Sequence, residues 1–505
     1  MVTKVLAAGL SGIDGFLVTV ECSVAAGNER FELVGLPDNA VREARERVGA
    51  ACVNSGFPFP RHKILVNLAP ANRKKEGSAF DLAILVGILS SSGVLPEGAV
   101  QEGDCFVGEL SLSGEVRPAT GVLSLALAAR DSGCRRIFVP ATNAHEAAIA
   151  EGIEVYGVAT LRELFLHLVG KAPLPATPFD PEVLADTRVL PDFREVAGQK
   201  KARRALEIAA AGGHNVLLIG PPGSGKSMLA KRIPSILPPL TFPEAVEVTR
   251  VHSVAGMLRG SGLLTRRPFR APHHTVSPAG MIGGGSSPRP GEISLADHGV
   301  LFLDELPEYS SALLETLRQP LEDGTVTVTR VAARADYPAN FMLVCAMNPC
   351  RCGYFGDRTH PCSCRPEDVR RYLSRVSGPL LDRLDIQVEV PSLSFEELTA
   401  RRENETSAEI RERVTAARER SAHRSPRPNA RLTPEELTRD CTPDADGEEM
   451  LRAAFLRLGL SARGHDKILR IARTIADLAG DETVSAPHVA EAIGYRTLDR
   501  KYWNR

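Results

Sequence analysis

The spacing of apolar positions divides the chain into stretches with different periods. Up to about residue 170, short apolar runs alternate with helically spaced ones. Phe16–Ser23, Lys63–Leu68, Cys105–Leu112 and Ile137–Val139 read as strands, while Asn39–Ser55 and Thr120–Ser132 carry helical spacing. That mixture predicts an α+β domain over residues 1–170. Residues 171–191 hold several prolines and no sustained period, so they read as a linker. Over 192–393 strand and helix alternate, and Asn215–Ile219, Gly299–Leu303 and Phe341–Ala346 are continuous apolar runs. Strands covered on both faces of a parallel sheet read this way, which predicts an α/β core. From 394 to 505 the pattern is helical and charged. Ile468, Ile471, Ala472, Ile475 and Leu478 fall at i, i+3, i+4 spacing, with Ser461 as N-cap and Gly480 as stop.

A chain of 505 residues is long enough for several cores, and 43% hydrophobic with 24% charged residues is ordinary for a globular protein. The formal net charge of -1 means that a nucleic-acid surface would have to be a local patch. The apolar run Leu82–Leu89 is far too short to span a bilayer. Asp14 and small residues interrupt the amino-terminal apolar stretch, which does not read as a cleaved signal. Ten cysteines in a chain of this size do not suggest a disulfide framework. The expectation is a reduced, cytoplasmic protein with no membrane partner.

The chemistry begins at Gly220, Pro221, Pro222, Gly223, Ser224, Gly225, Lys226 and Ser227, which fit G-x-x-x-x-G-K-[ST] between a strand and the helical segment Met228–Ile233. Glycines let backbone N–H groups turn towards phosphate oxygens, and the following helix N-terminus adds a favourable dipole. Lys226 would reach the β/γ-phosphates of ATP and Ser227 the Mg²⁺ ion. The run Val300–Leu303 ends in Asp304 and Glu305, placing one carboxylate beside the metal and the next towards the attacking water. Asn348 follows the next apolar strand. An amide there would hold that water from the other side, although Asn-Pro is also a common turn. Arg383, between Asp382 and Asp385, is either a surface ion pair or, in a ring ATPase, a group reaching the neighbour's γ-phosphate. Arg463, opening the helix after Ser461, would touch the same phosphate from the lid.

Cys350, Cys352, Cys362 and Cys364 form C-x-C-x9-C-x-C, with His360 nearby. Four thiolates on a short excursion suit tetrahedral Zn²⁺; the alternative is a set of reduced structural thiols. Cys22, Cys52, Cys105, Cys134, Cys345 and Cys441 are scattered and read as small apolar residues. Thr325–Arg330 followed by Val331–Asp336 reads as a hairpin, and Gly283–Gly285 with Arg289 as a second loop. The basic cluster Arg73-Lys74-Lys75 is a candidate DNA contact. The arginines of Arg411–Arg431, interleaved with Glu412 and Glu419, read rather as a solvated helix face. His273 and His274 lie in a loop where sequence alone gives them no task.

These residues resemble the ComM/YifB proteins, bacterial magnesium-chelatase-like AAA+ ATPases, essentially end to end. The carriers are Val34–Asp38, Arg42–Val48, Val66–Pro70, Gly108–Ser111, Ala209–Gly225, Phe269–His274, Gly299–Leu306 and Ser377–Asp385. The resemblance implies a Lon-protease-like amino-terminal domain, an AAA+ core, a helical lid and a homo-hexameric ring. It implies an ATP-driven motor that migrates branched DNA in transformation, with Arg383 as arginine finger, Asn348 as sensor 1 and Arg463 as sensor 2. In related ring motors a hairpin like Thr325–Asp336 projects into the central pore, where Arg330 and Arg334 would meet phosphates of single-stranded or branched DNA. The chain departs from the Lon pattern, with Ala79 at the serine position, Ser78 one place early, and Leu123 at the lysine position. A Ser–Lys dyad needs both groups, so no peptidase activity is expected. The rival readings are the ATPase subunit of a metal-insertion complex, whose members typically lack the amino-terminal domain and the cysteine cluster, and a protein-remodelling chaperone. The chain has no D-x-S-x-S metal-adhesion motif.

Overall fold

The computed structural model describes residues 2–180, 189–258, 262–285, 288–330, 333–357, 360–395, 397 and 404–503. The first part holds β1 (Val2–Ser11), β2 (Asp14–Ala25), β3 (Arg30–Val34), β4 (Lys63–Ala69), β5 (Asp104–Phe106), β6 (Arg136–Pro140) and β7 (Glu154–Val158), with inward and outward residues alternating along β2 and β4. They form one mixed sheet in the order β3-β4-β2-β1-β5-β6-β7, with β1 and β2 a long antiparallel hairpin. The helix Asp81–Ser91 is apolar on every side and correspondingly buried against β1 and β2. The strand expected over Cys105–Leu112 stops at Phe106. A Cβ on Gly108 would lie 2.7 Å from Val116 Cγ1, and the Gly108 N–H leaves the ladder to bond Ala79 O at 2.8 Å. The helix expected over Asn39–Ser55 forms as two pieces, Asn39–Arg42 and Ala44–Asn54.

Lys75 leaves the expected basic cluster at 73–75, in which Arg73 and Lys74 are exposed. Its side chain is fully buried, its ammonium donating to the Pro70 and Arg73 carbonyls. A buried ammonium is tolerable when backbone oxygens replace its water.

The second part holds β8 (Val216–Ile219), β9 (Phe269–Arg270), β10 (Val300–Leu303), β11 (Met342–Met347) and β12 (Ile386–Glu389), all parallel in the order β9-β10-β11-β8-β12. The register aligns Val216 with Val344 and Ile386, and Val300 with Met342. Gly220, Asp304 and Asn348 therefore emerge together at the carboxyl edge. Asn215, Gly299, Phe341 and Asp385 gather at the amino edge.

The C-terminal region is helical. Ser461 accepts a hydrogen bond from Gly464 N at 3.1 Å, opening the helix Ala462–Ala479, and Gly480 closes it with a left-handed φ of 86°. The arginine-rich helix Ser407–Arg424 has the solvated face that its charge pattern suggested, at Arg411, Glu412, Glu419 and Arg420, and turns other arginines inward. Arg413 Nε reaches Glu207 Oε1 at 2.6 Å and Arg418 Nε donates to Ala210 O at 2.9 Å, tying this helix to the core helix Lys200–Gly212. Beyond the helix, Arg431 Nη1 reaches Asn340 Oδ1 at 2.6 Å.

The first part also docks on the core. Arg250 pairs with Asp14 at 2.7 Å, and Ser253 donates to Glu146. The β1–β2 turn inserts Ile13 into the apolar cluster of Val326, Val328, Ala335 and Tyr337. No helix among the described residues is long and apolar enough to cross a membrane.

Candidate nucleotide site

The loop after β8 is shaped by its glycines. A Cβ at Gly220 would lie 2.0 Å from Val390 O, so no other residue fits beside the neighbouring strand end. Gly225 takes a φ of 91° and opens the helix Lys226–Ile236, leaving the first N–H groups of that helix without intrahelical partners. Lys226 Nζ donates to Gly220 O and Pro221 O, both at 2.8 Å, and to Asn348 Oδ1 at 3.1 Å. Burial is the larger influence on this lysine and lowers its pKa to about 8, with Asp304 acting in the opposite direction.

Ser227 Oγ donates to Asp304 Oδ2 at 2.6 Å. A hydroxyl and a carboxylate oxygen in contact at a strand end, beside a row of backbone donors, are the hard oxygen ligands that Mg²⁺ takes in phosphate sites. The residues present thus fit the ion. Glu305 follows in a left-handed conformation with φ 53°, unusual without glycine. Its N–H bonds Asp304 Oδ1 at 3.0 Å, and its carboxylate, 61% exposed, stands 3.7 Å from His274 Nδ1. The structure brings Lys226, Ser227, Asp304, Glu305 and Asn348 to one edge of the sheet. The contact from His274 was not legible in the sequence, because it joins two loops distant in the chain.

Arg383 and Arg463 do not join that group. Both line a cleft of about 1160 Å³ at the opposite, amino edge, along with Asn215, Gly299 and Asp385. Arg383 is 10% exposed, donates to Pro379 O at 2.6 Å and pairs with Glu322. Its Nε is buried with no hydrogen-bond partner among the described residues. Arg463 is exposed at the start of its helix. On the same edge His298, at φ 52°, lies 2.7 Å from Glu247, 3.3 Å from Glu244 and 3.6 Å from Asp297. Burial opposes its charge, yet these carboxylates prevail and raise its pKa to about 9.

The four cysteines converge. Sγ–Sγ separations are 3.3 Å for 350–352, 3.5 Å for 352–362 and 3.7 Å for 350–362, and all four sulfurs lie within 4.8 Å of one another. Tetrahedral zinc with Zn–S near 2.3 Å needs sulfurs about 3.8 Å apart, so the donor set fits that ion. His360 stays outside the set, beside Asp357 at 3.8 Å. The cluster abuts the phosphate loop, since a Cβ on Gly353 would lie 2.3 Å from Pro222 Cδ. The six other cysteines are buried, as their scattered apolar setting suggested.

The hairpin pairs Thr325–Arg330 with Ala333–Pro338; Val331 and Ala332, at the start of the expected second arm, lie outside the described residues. Arg334 is 69% exposed, with Asp336 3.8 Å away. Gly283–Gly284 pairs with Arg289–Pro290 as a second short ribbon, with Arg289 exposed. In the first domain Ala79 and Leu123 belong to one apolar cluster, while Ser78 donates to Glu109.

Family models match three successive segments: residues 20–143 match "Subunit ChlI of Mg-chelatase", 192–398 match "Magnesium chelatase, subunit ChlI", and 404–496 match "Magnesium chelatase, subunit ChlI C-terminal". Competence protein ComM of Haemophilus influenzae is 42% identical over 97% of this chain and 96% of its own. YifB of Escherichia coli is 40% identical over 97% and 96%. DNA repair protein RadA of Bacillus subtilis is 30% identical over 33% of this chain and 35% of its own. With a parallel core sheet, a helical C-terminal region and full-length likeness, the chain belongs to the ComM/YifB family of magnesium-chelatase-like AAA+ ATPases.

Proposed function

We propose that this chain is a DNA motor of the ComM type: an ATP-hydrolysing ring, hexameric by family likeness, that moves branched or single-stranded DNA. The observation that carries the reading is the division of phosphate chemistry between two edges of one sheet. Lys226, Ser227, Asp304, Glu305 and Asn348 occupy the carboxyl edge; Arg383 and Arg463 line a cleft at the other. The four-residue strands between these edges span about 13 Å at ~3.3 Å per residue, so each edge needs a second copy of the chain to complete it.

In this reading the loop from Gly220 to Gly225 cradles the phosphates with backbone N–H groups, and Lys226 exchanges its carbonyl partners for phosphate oxygens. Ser227 and Asp304 hold Mg²⁺, which when bound neutralises charge on the phosphate oxygens. Glu305 takes a proton from the attacking water, and Asn348 orients that water from the adjoining strand end. Arg383 of one copy, its Nε without a hydrogen-bond partner among the described residues, would approach the neighbour's γ-phosphate, with Arg463 beside it.

The DNA assignment draws on the printed names of the competence and DNA repair relatives and on the exposed arginines of the two ribbons, Arg334 and Arg289. The amino-terminal domain serves as a scaffold that steadies the hairpin through Ile13, without a peptidase dyad. Cys350, Cys352, Cys362 and Cys364 hold a structural Zn²⁺ against the phosphate loop. Metal insertion is the second reading. The chelatase description of all three family models favours it, including the model over 20–143, so the first domain does not separate the two by name.

The deciding experiment measures ATP hydrolysis with and without forked or four-way DNA, alongside strand exchange on gels. Stimulation with ATP-dependent junction movement supports the motor. Indifference to DNA, with stimulation by a porphyrin-loaded or polypeptide partner, overturns it.

A further inference from the structure

Asp385 and Lys467 form an ion pair inside the protein, each only 8% exposed, with Asp385 Oδ1 2.9 Å from Lys467 Nζ. Burial opposes ionisation of Asp385, yet the Lys467 ammonium beside it keeps its carboxyl well below the usual carboxylate range. A buried pair of this kind adds little stability over an apolar pair of the same size, because both charges must leave water. It joins two parts of the molecule that are distant in the chain. Asp385 stands two residues after Arg383, and Lys467 lies on the helix Ala462–Ala479, one turn after Arg463.

The loop behind Arg383 is gripped from that helix and from the start of β8. Lys467 Nζ also donates to Leu384 O at 3.2 Å, and Arg496 Nη1 reaches the same carbonyl at 2.7 Å. Asn215 donates its side-chain amide to Arg383 O and its backbone N–H to Asp385 Oδ2, both at 3.0 Å. His214 Nδ1 stands 3.7 Å from Asp385 Oδ2, and its Nε2 lies 2.8 Å from Thr474 Oγ1 on the same C-terminal helix. The Arg383 guanidinium bonds elsewhere, to Pro379 O and Glu322, and lines the cleft with Arg463. The backbone that bears this arginine is therefore fastened to the helix, while its charged end stays at the cleft.

We propose that Lys467 is a positioning residue for Arg383: through Asp385 and Leu384 it fixes the arginine's loop to the helix that opens with Arg463, so that the two arginines reach the adjoining copy as one unit. The proposal rests on the reading of Arg383 as the group that meets the neighbour's γ-phosphate. Arg463 and Lys467 share one helix face, four residues apart, so a shift of that helix carries both cations together. Misplacing such a group by about 1 Å costs on the order of 10²-fold in rate. A copy whose C-terminal helix is displaced would thus slow the neighbour's site while its own phosphate loop stays intact.

Lys467→Ala alone would leave Asp385 buried without its cation, so the test uses full-length Lys467→Met with Asp385→Asn, which removes both charges. Its kcat for ATP should fall about tenfold, while fluorescent-nucleotide affinity stays within about twofold. Lys467→Arg keeps a charged donor for Asp385 and Leu384 O and should retain most of the wild-type kcat. Mixing chains then locates the defect. With Lys226→Ala, which supplies an intact Arg383, activity of the double variant should rise well above the sum of the parents. With Arg383→Ala it should stay at that sum, because neither chain offers a well-placed arginine. A gain with Arg383→Ala, no gain with Lys226→Ala, wild-type kcat in the double variant, or a Lys467→Arg protein no better than it defeats the proposal. If Lys226→Ala and Arg383→Ala fail to restore one another, the shared site itself fails, and that result is read without any Lys467 variant.

Discussion

Lys226 Nζ and Asn348 Oδ1 meet at 3.1 Å, so the ends of two parallel strands, β8 and β11, are joined through one ammonium group. The lysine is held in place by protein oxygens, and an incoming phosphate replaces them without a search through side-chain rotamers. Lys226→Ala should weaken ATP binding by at least about tenfold, because a charge-assisted contact is lost. Asn348→Ala should leave binding nearly intact and lower turnover by roughly 10²-fold, the scale of losing one preorganised polar group. Fluorescent-nucleotide titration combined with steady-state ATPase assays separates the two effects.

The four-thiol cluster predicts about one zinc per purified chain. Cys350 lies two residues after Asn348, and Gly353 packs on Pro222, so loss of the metal should loosen the nucleotide site as well as the loop. Cys352→Ser with Cys362→Ser should lower the melting temperature by several degrees, equivalent to about 1–3 kcal/mol. Metal analysis that finds essentially none in fresh protein contradicts the assignment.

His298 gives stability a pH dependence with a defined sign. Glu244, Glu247 and Asp297 face its ring, while Arg267 donates to its backbone carbonyl at 2.8 Å. Its pKa is raised from 6.5 to about 9. The imidazolium's contribution is therefore complete below pH 6.5 and disappears as pH rises through 9. Asp297, raised by burial to about 6, titrates below that window. Thermal melts should lose stability between pH 7 and pH 9, and His298→Gln should flatten that slope.

The ribbons supply a nucleic-acid test. Arg330→Ala with Arg334→Ala should weaken binding to forked DNA similarly for all sequences and lower the salt slope by about 2. Fluorescence anisotropy over a salt series reads both quantities. Unchanged affinity would remove the hairpin from the DNA path.

Legibility in the sequence followed how local each signal was. Continuous apolar strands gave β8, β10 and β11 away, and Ser461 and Gly480 marked their helix because caps act within one turn. β9 is two residues long, and β12 alternates apolar and polar residues at the sheet edge, so neither carries a strong period. Lys75, Arg413 and Arg418 carry charge that reads as surface, yet carbonyls and carboxylates distant in the chain or folded back locally satisfy them. His274 became interpretable only once folding set it beside Glu305. The separation of Arg383 from Lys226 likewise follows from parallel register, which sequence does not state.

That separation is the centre of the account, and mixing two damaged chains tests it most directly. Lys226→Ala removes the lysine but keeps Arg383, and Arg383→Ala does the reverse. Each alone should hydrolyse ATP poorly. After co-assembly, random neighbours in a ring would rebuild about a quarter of the shared sites, and activity should rise well above the sum of the parents. A mixture that stays at that sum, or an Arg383→Ala protein that turns over at the wild-type rate, contradicts a site completed by the adjoining copy.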